Sequence, residues 1–123
     1  MMGGMPSFVL LYHDCPTEFG KPSHWDLMLE RDGMLLTWSL PLLPGAEQPN
    51  AATKLPDHRL AYLDYEGPLA NNRGQVTRCD RGEYRMIEEG LGRMQIELRG
   101  EILHGFATLL QVEGDAWNLQ IAN

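Results

Sequence analysis

The stretch His24-Trp25-Asp26-Leu27-Met28-Leu29-Glu30-Arg31-Asp32-Gly33-Met34-Leu35-Leu36-Thr37-Trp38-Ser39-Leu40 decides how this chain folds. From His24 to Glu30, Trp25, Leu27 and Leu29 fall on one side of an extended backbone, and His24, Asp26, Met28 and Glu30 on the other. That period of two belongs to a strand and not to a helix. Arg31-Asp32-Gly33 follows as a tight turn, because Asp-Gly tolerates the positive φ that a two-residue hairpin demands. Met34 to Leu40 returns as the partner strand.

Further strands follow outward from this hairpin. Ser7 to Tyr12 is short, apolar and partly β-branched, which suits a buried strand. Gly74 to Asp80 and Glu83 to Ile87 read as two strands around an Arg81-Gly82 turn, and Gly92 to Leu98 places Met94, Ile96 and Leu98 on one face. Gly100 is a turn, Ile102 to Val112 a strand, and Gly114-Asp115 leads to a last strand at Trp117 to Ile121. Leu42 to Pro56 carries Pro44, Gly45, Pro49 and Pro56 without periodicity, so it reads as a long loop. No window forms a long amphipathic helix. The expectation is a mostly β domain, a compact small β-barrel of about seven or eight strands with little helix, over residues 8–123 behind a flexible 1–7.

The 123 residues carry 17 acidic and 10 basic side chains, a net charge of −7. A broad, non-specific grip on nucleic acid needs a basic face, so that class is disfavoured, whereas a small focused site is not. Two cysteines, Cys15 and Cys79, are too few for a disulfide framework and fit a reduced, cytoplasmic protein. The start lacks a basic and apolar leader, and no uncharged run is long enough and free enough of proline to cross a membrane.

His13 closes the first strand, and His24 and Asp26, two apart, project together from the second. Two imidazoles and a carboxylate can hold a divalent ion and leave positions open for water and substrate. The plain reading of His-x-Asp is an ordinary hydrogen-bonded pair. Cys15, two after His13, is either an inert thiol or the fourth ligand of a closed zinc site. His58 and Tyr62 can both donate to a phosphate, although capping and surface roles are commoner for each. His104 lies within a strand pattern and reads as structural. Arg73, Arg78, Arg81 and Arg85 face Asp80 and Glu83 in the same stretch, and read either as a solvated strand face with cross-strand ion pairs or as a phosphate-binding run.

Several segments in order resemble one family, the 3′-phosphoesterase domain associated with bacterial DNA ligase D. They are Phe8-Val9 to His13; His24-Trp25-Asp26-Leu27-Met28-Leu29-Glu30; Asp32-Gly33-Met34-Leu35-Leu36-Thr37-Trp38-Ser39-Leu40-Pro41; and Asp57-His58-Arg59-Leu60-Ala61-Tyr62-Leu63-Asp64-Tyr65-Glu66-Gly67. Gly74-Gln75-Val76 with Asp80-Arg81-Gly82-Glu83-Tyr84, then Leu98 to Gly105 and Trp117-Asn118-Leu119, continue the likeness. The resemblance implies a compact β-barrel and a manganese-dependent enzyme that trims DNA 3′ ends, removing a terminal ribonucleoside and then the remaining phosphate. By position, His13, His24 and Asp26 fall on the family's metal ligands, and His58 and Tyr62 on its phosphate-contacting pair. A separate DNA ligase or polymerase is the partner implied.

The departures are as specific. Ten residues, Asp14 to Ser23, separate the two metal histidines and read as an inserted loop. The family's arginine two after the metal aspartate is Met28, the polar residue two before the first histidine is Leu11, and a lysine after the Trp-x-x-Pro segment is Leu42. An upstream arginine falls at Asn50. Losing a guanidinium beside a phosphoryl group removes a bidentate clamp, for which Lys21, Lys54 or Arg59 are candidate replacements. The reading is therefore a divalent-metal phosphoesterase acting on nucleic-acid 3′ ends or a small phosphoester. Its alternatives are a non-catalytic module binding DNA ends or a repair partner, and a domain stapled by zinc through Cys15.

Overall fold

A computed structural model describes residues 4–45 and 48–122. The strands are β1 (Ser7–Asp14), β2 (His24–Arg31), β3 (Met34–Leu40), β4 (Asn50–Arg59), β5 (Gly67–Pro68), β6 (Gln75–Gly90), β7 (Arg93–Gly100), β8 (His104–Glu113) and β9 (Ala116–Ala122). They form one antiparallel sheet in the order β1-β2-β3-β4-β9-β8-β7-β6-β5, and a further β1–β6 pairing closes it into a ring. Only short 3-10 turns interrupt the strands, at Thr17–Phe19, Leu60–Leu63 and Ala70–Asn72. Among the described residues no helix is long and apolar enough to cross a membrane. Of the amino-terminal segment expected to be flexible, residues 1–3 lie outside the described residues; Pro6 accepts a hydrogen bond from the Tyr84 amide at 2.9 Å and Ser7 opens β1.

Strand alternation builds two cores on opposite faces of one sheet. Phe8, Leu10, Leu27, Leu29, Trp38 and Leu40 join residues of β4, β6, β7, β8 and β9 in the cluster that the ring encloses. Their neighbours in sequence, Val9, Leu11, Met28 and Leu35, face the other way and pack with Val76 and Leu63 under Tyr62 and Leu69. β1 and β2 are thus buried on both faces, because a flap over residues 60–74 covers the ring from outside.

The β2–β3 hairpin forms as its sequence requires, with Asp32 at φ 52° and Gly33 at φ 81°. Two readings are corrected. The segment expected to be a loop to Pro56 becomes β4 from Asn50 onward. Its proline is accommodated at an irregularity, where the pairing with β3 shifts between Leu35–His58 and Thr37–Leu55. Gly82 is not a turn: β6 runs unbroken for 16 residues, and the glycine lets the Arg99 carbonyl pass where a Cβ would stand 2.3 Å from its oxygen. Asp80, buried in β6, accepts amide hydrogen bonds from Arg81 (2.9 Å), Glu101 (3.1 Å), Ile102 (3.1 Å) and Leu103 (2.7 Å), and so fixes the β7–β8 connection.

Candidate functional site

His13 and His24 are direct cross-strand partners in the β1–β2 ladder, with ring centroids 4.9 Å apart. The ten residues between them are the hairpin connection, so their length does not separate the two imidazoles. That loop is tied by the Cys15 amide donating to Ser23 Oγ (2.9 Å) and by Ser23 Oγ donating to Asp14 (3.3 Å). Each imidazole is oriented by a backbone carbonyl. His13 Nε2 lies 2.7 Å from the Arg73 carbonyl oxygen, and His24 Nδ1 lies 2.9 Å from that of Pro22. A carbonyl accepts only, so these nitrogens carry the protons. Nδ1 of His13 and Nε2 of His24 keep their lone pairs, the arrangement common to histidine metal ligands.

Asp26, on the same face of β2, places Oδ1 3.4 Å from His24 Nε2. That oxygen is buried without a hydrogen-bond partner. Burial alone would lower the pKa of His24, but the Asp26 carboxylate and the Pro22 carbonyl outweigh it and hold it above the ordinary imidazole value. Ligand atoms of His13, Cys15 and His24 all lie within 4.8 Å of one another. Burial pushes the Cys15 thiol upward, partly offset by the Lys21 ammonium.

His58 and Tyr62 form the second group. His58 stands near the end of β4, its Nδ1 2.9 Å from the Pro56 carbonyl oxygen, which leaves Nε2 free. Tyr62 rises from the 3-10 turn Leu60–Leu63, and the two rings meet edge to face at 5.7 Å. They share a cavity of about 440 Å³ with Lys21, Asp57, Arg59 and Arg73. Arg73 belongs to both groups, because its carbonyl holds His13 while its side chain lines the cavity of His58 and Tyr62.

The structure sorts the remaining candidates. Met28 and Leu11 are buried together in the outer core beneath Tyr62, so both polar positions of the family pattern are filled by one apolar cluster. Asn50 braces its loop, donating to the carbonyls of Gln48 (2.9 Å), Gly45 (3.2 Å) and Leu119 (3.1 Å). Leu42 is exposed. Lys54 donates to the Leu55 carbonyl at 2.6 Å and covers the Trp38 ring at 5.2 Å, away from the cavity. His104 is exposed at the start of β8.

The arginine run divides. Arg85 pairs with Glu97 across β6 and β7, as a solvated strand face should. Arg78 and Arg81 instead reach the flap, pairing with Glu66 (3.7 Å) and Asp64 (2.5 Å) and donating to the Leu63 carbonyl. Arg73 lies outside the strands altogether. Its place is fixed by left-handed Asn71 (φ 61°) and Asn72 (φ 54°), and by Gly74 (φ 93°), where a Cβ would stand 1.9 Å from the Asp14 carbonyl oxygen. Asn-Asn-x-Gly is the local signal that marks this turn in the sequence.

Comparison with known proteins gives the same family. The family model described as the DNA Ligase D 3′-phosphoesterase domain matches residues 13–111. The multifunctional non-homologous end joining DNA repair protein LigD of Mycobacterium tuberculosis is 32% identical over 103 residues, 76% of this chain and 14% of that protein. The corresponding protein of Mycolicibacterium smegmatis is 32% identical over 94% of this chain and 16% of its own length. That of Pseudomonas aeruginosa is 35% identical over 67% of this chain and 11% of its own length. The chain therefore spans only a small part of each of these relatives. It belongs to the DNA ligase D 3′-phosphoesterase domain family.

Proposed function

We propose that this chain is a divalent-metal-dependent phosphoesterase that processes nucleic-acid 3′ ends in DNA repair, removing a 3′-ribonucleoside or a 3′-phosphate. The observation that carries the reading is the buried Asp26 Oδ1, without a hydrogen-bond partner among the described residues, beside the His24 imidazole. His24 is the cross-strand partner of His13, and the other nitrogen of each ring is already held by a carbonyl. A buried carboxylate oxygen without a donor is costly. A cation is the partner that this donor set fits. His13, His24 and Asp26 would hold it, manganese being the ion the family implies.

Such an ion, when bound, supplies Lewis-acid polarisation of a phosphoryl oxygen and acidifies water. The protein's own groups do the rest. His58 Nδ1 keeps its proton and donates it to the Pro56 carbonyl, so Nε2 is the atom that exchanges a proton with the leaving oxygen. Tyr62 offers its hydroxyl as a second donor to the phosphoryl group. Removing the ribonucleoside leaves a 3′-phosphate, and removing that phosphate leaves the free 3′-hydroxyl that a ligase or polymerase joins or extends. Purified protein with manganese should trim a primer ending in a ribonucleotide or a 3′-phosphate, and His58→Ala should abolish that trimming. Equal background for the two proteins would end the catalytic reading.

Cys15 supports a second reading. Its sulfur shares the 4.8 Å cluster with both histidines, and thiolate favours zinc over manganese. Tight stoichiometric zinc that is lost in Cys15→Ser would make this a structural staple. Weak, exchangeable metal indifferent to Cys15→Ser supports the enzyme.

A further inference from the structure

The cavity of His58 and Tyr62 does not end at Tyr62. A second chamber of about 250 Å³ adjoins it, sharing Arg59, Tyr62 and Arg73 and walled by Tyr65, Pro68 and Leu69. The two chambers differ in chemistry. The first gathers Lys21, Arg59 and Arg73 in a chain whose net charge is −7, and none of the three has a carboxylate partner among the described residues. Its acidic member, Asp57, is turned to Lys54 at 3.7 Å. The second is largely apolar. Tyr65 spends its hydroxyl on the Pro68 carbonyl and so presents its ring, 6.4 Å from that of Tyr62.

One of the three cations is fastened to a candidate metal-ligand histidine, and a second is next in sequence to the residue that holds the other. Arg73 gives its carbonyl to His13, and Lys21 precedes Pro22, whose carbonyl holds His24. The Arg73 Nε donates to the Ala70 carbonyl at 2.9 Å, which fixes the guanidinium stem and leaves its outer nitrogens for an anion. The position where the family pattern has arginine is Met28, which is buried under this same flap. The positive charge at this cavity stands on the flap, the end of β4 and the β1–β2 loop, and none of it on β2.

We propose that the two chambers form one binding cleft for a nucleoside phosphate. Arg73, with Lys21 and Arg59, grips the phosphoryl group in the outer chamber, and the terminal nucleoside lies against Tyr65 and Leu69 in the inner one. This rests on the phosphoesterase reading and extends it by naming the clamp and the nucleoside subsite. Arg73 takes the role left open at Met28, and Tyr62 stands at the boundary, within reach of both halves of the ligand.

The test is titration of the full-length protein in chelator, without turnover, using inorganic phosphate, adenosine and adenosine 3′-monophosphate, followed by NMR. The nucleotide should bind about tenfold more tightly than phosphate or adenosine alone. Arg73→Gln should weaken phosphate and nucleotide alike by roughly tenfold, the size of one lost charge-assisted hydrogen bond. Lys21→Gln should weaken both by less. Ala61→Leu, a neutral filling of the inner chamber from an exposed position, should weaken the nucleotide and leave phosphate unchanged.

Unchanged phosphate affinity in Arg73→Gln overturns the clamp. A nucleotide that binds no better than phosphate, or is indifferent to Ala61→Leu, overturns the nucleoside subsite. Because these measurements involve no metal, intact binding without manganese-dependent hydrolysis would defeat only the catalytic reading. Hydrolysis with an unchanged KM in Arg73→Gln would defeat only this one.

Discussion

The two faces of β1 and β2 carry two cores of different kinds. The inner one is closed almost wholly by strands: eight of the nine contribute on the period-two ladder, and Leu103 of the β7–β8 connection completes it. The outer one is half strand and half flap, since Leu63, Tyr62 and Leu69 come from a segment whose regular pairing is limited to the two residues of β5. What holds that flap is a set of particular contacts, namely Arg78 and Arg81 on the Leu63 carbonyl and on Glu66 and Asp64, with two left-handed asparagines and Gly74 at its exit. Stability is built into the inner face, and the candidate chemistry into the outer one. The ring can therefore stay folded while the site is lost.

The sharpest way to break this contrast is to truncate each core in turn. Leu27→Ala empties a fully buried inner position and should cost about 2–5 kcal/mol, read as a lower denaturant midpoint. Leu63→Ala, at the less enclosed outer core, should cost less stability and yet remove 3′-end trimming and phosphate binding, because Tyr62 and the Leu63 carbonyl move with it. If both variants lose stability and activity in parallel, the two faces are one cooperative unit.

Asp80→Ala comes next. It strips three amides of the β7–β8 connection and that of Arg81 of their acceptor, and should cost about 2–3 kcal/mol without altering metal affinity once the protein is folded. Gly74→Ala reverses that pattern. Its Cβ meets the Asp14 carbonyl oxygen, and alanine resists a φ of 93°, a strain of about 1–3 kcal/mol. The neighbouring Arg73 carbonyl would leave His13, so metal affinity should fall about 10–100-fold, as when a ligand's supporting contact is removed. Manganese or zinc titration of the two variants separates them.

The same contrast explains what could be read without coordinates. Periodicity finds the β2–β3 hairpin, β1, β7 and β9, and strand parity alone puts His24 and Asp26 on one face, because a two-residue repeat leaves no freedom about sides; that His13 stands opposite His24 comes from the β1–β2 register. It failed where local punctuation misled. Pro56 hid β4 because its effect is absorbed by an irregularity set by β3, and Gly82 imitated a turn because close approach and sharp bending call for the same residue. The sequence offers Lys21 and Arg73 as candidates but does not place them, for another reason. No periodic element carries either one, and they meet at the cavity only after β1 closes against β6 and brings the flap to the histidine loop. Asp80 was invisible as a structural hub, since its four donors follow one backbone residue and a connection some 20 positions away.

The smallest expected difference lies between ion pairs of the same type. Arg99 bonding, with slight desolvation opposing it and Arg85 assisting, holds Glu97 below the usual carboxylate range on the outer wall of the ring. A depressed folded pKa contributes stability that is fully present above the ordinary carboxylate value and is lost as pH falls through the lower one. Glu97→Gln should thus flatten the acid limb of the thermal midpoint slightly and leave activity alone, as exposed pairs are weak and screened by salt. Asp64→Asn removes a more exposed partner, but from Arg81 at the flap. Its effect on the thermal midpoint should be just as small, whereas substrate KM should rise, more so at low salt where the wild-type pair is strongest. Equal indifference of KM to both substitutions would mean that the Leu63 carbonyl contacts hold the flap without their neighbouring charges. The contrast between the faces would then rest on backbone geometry alone.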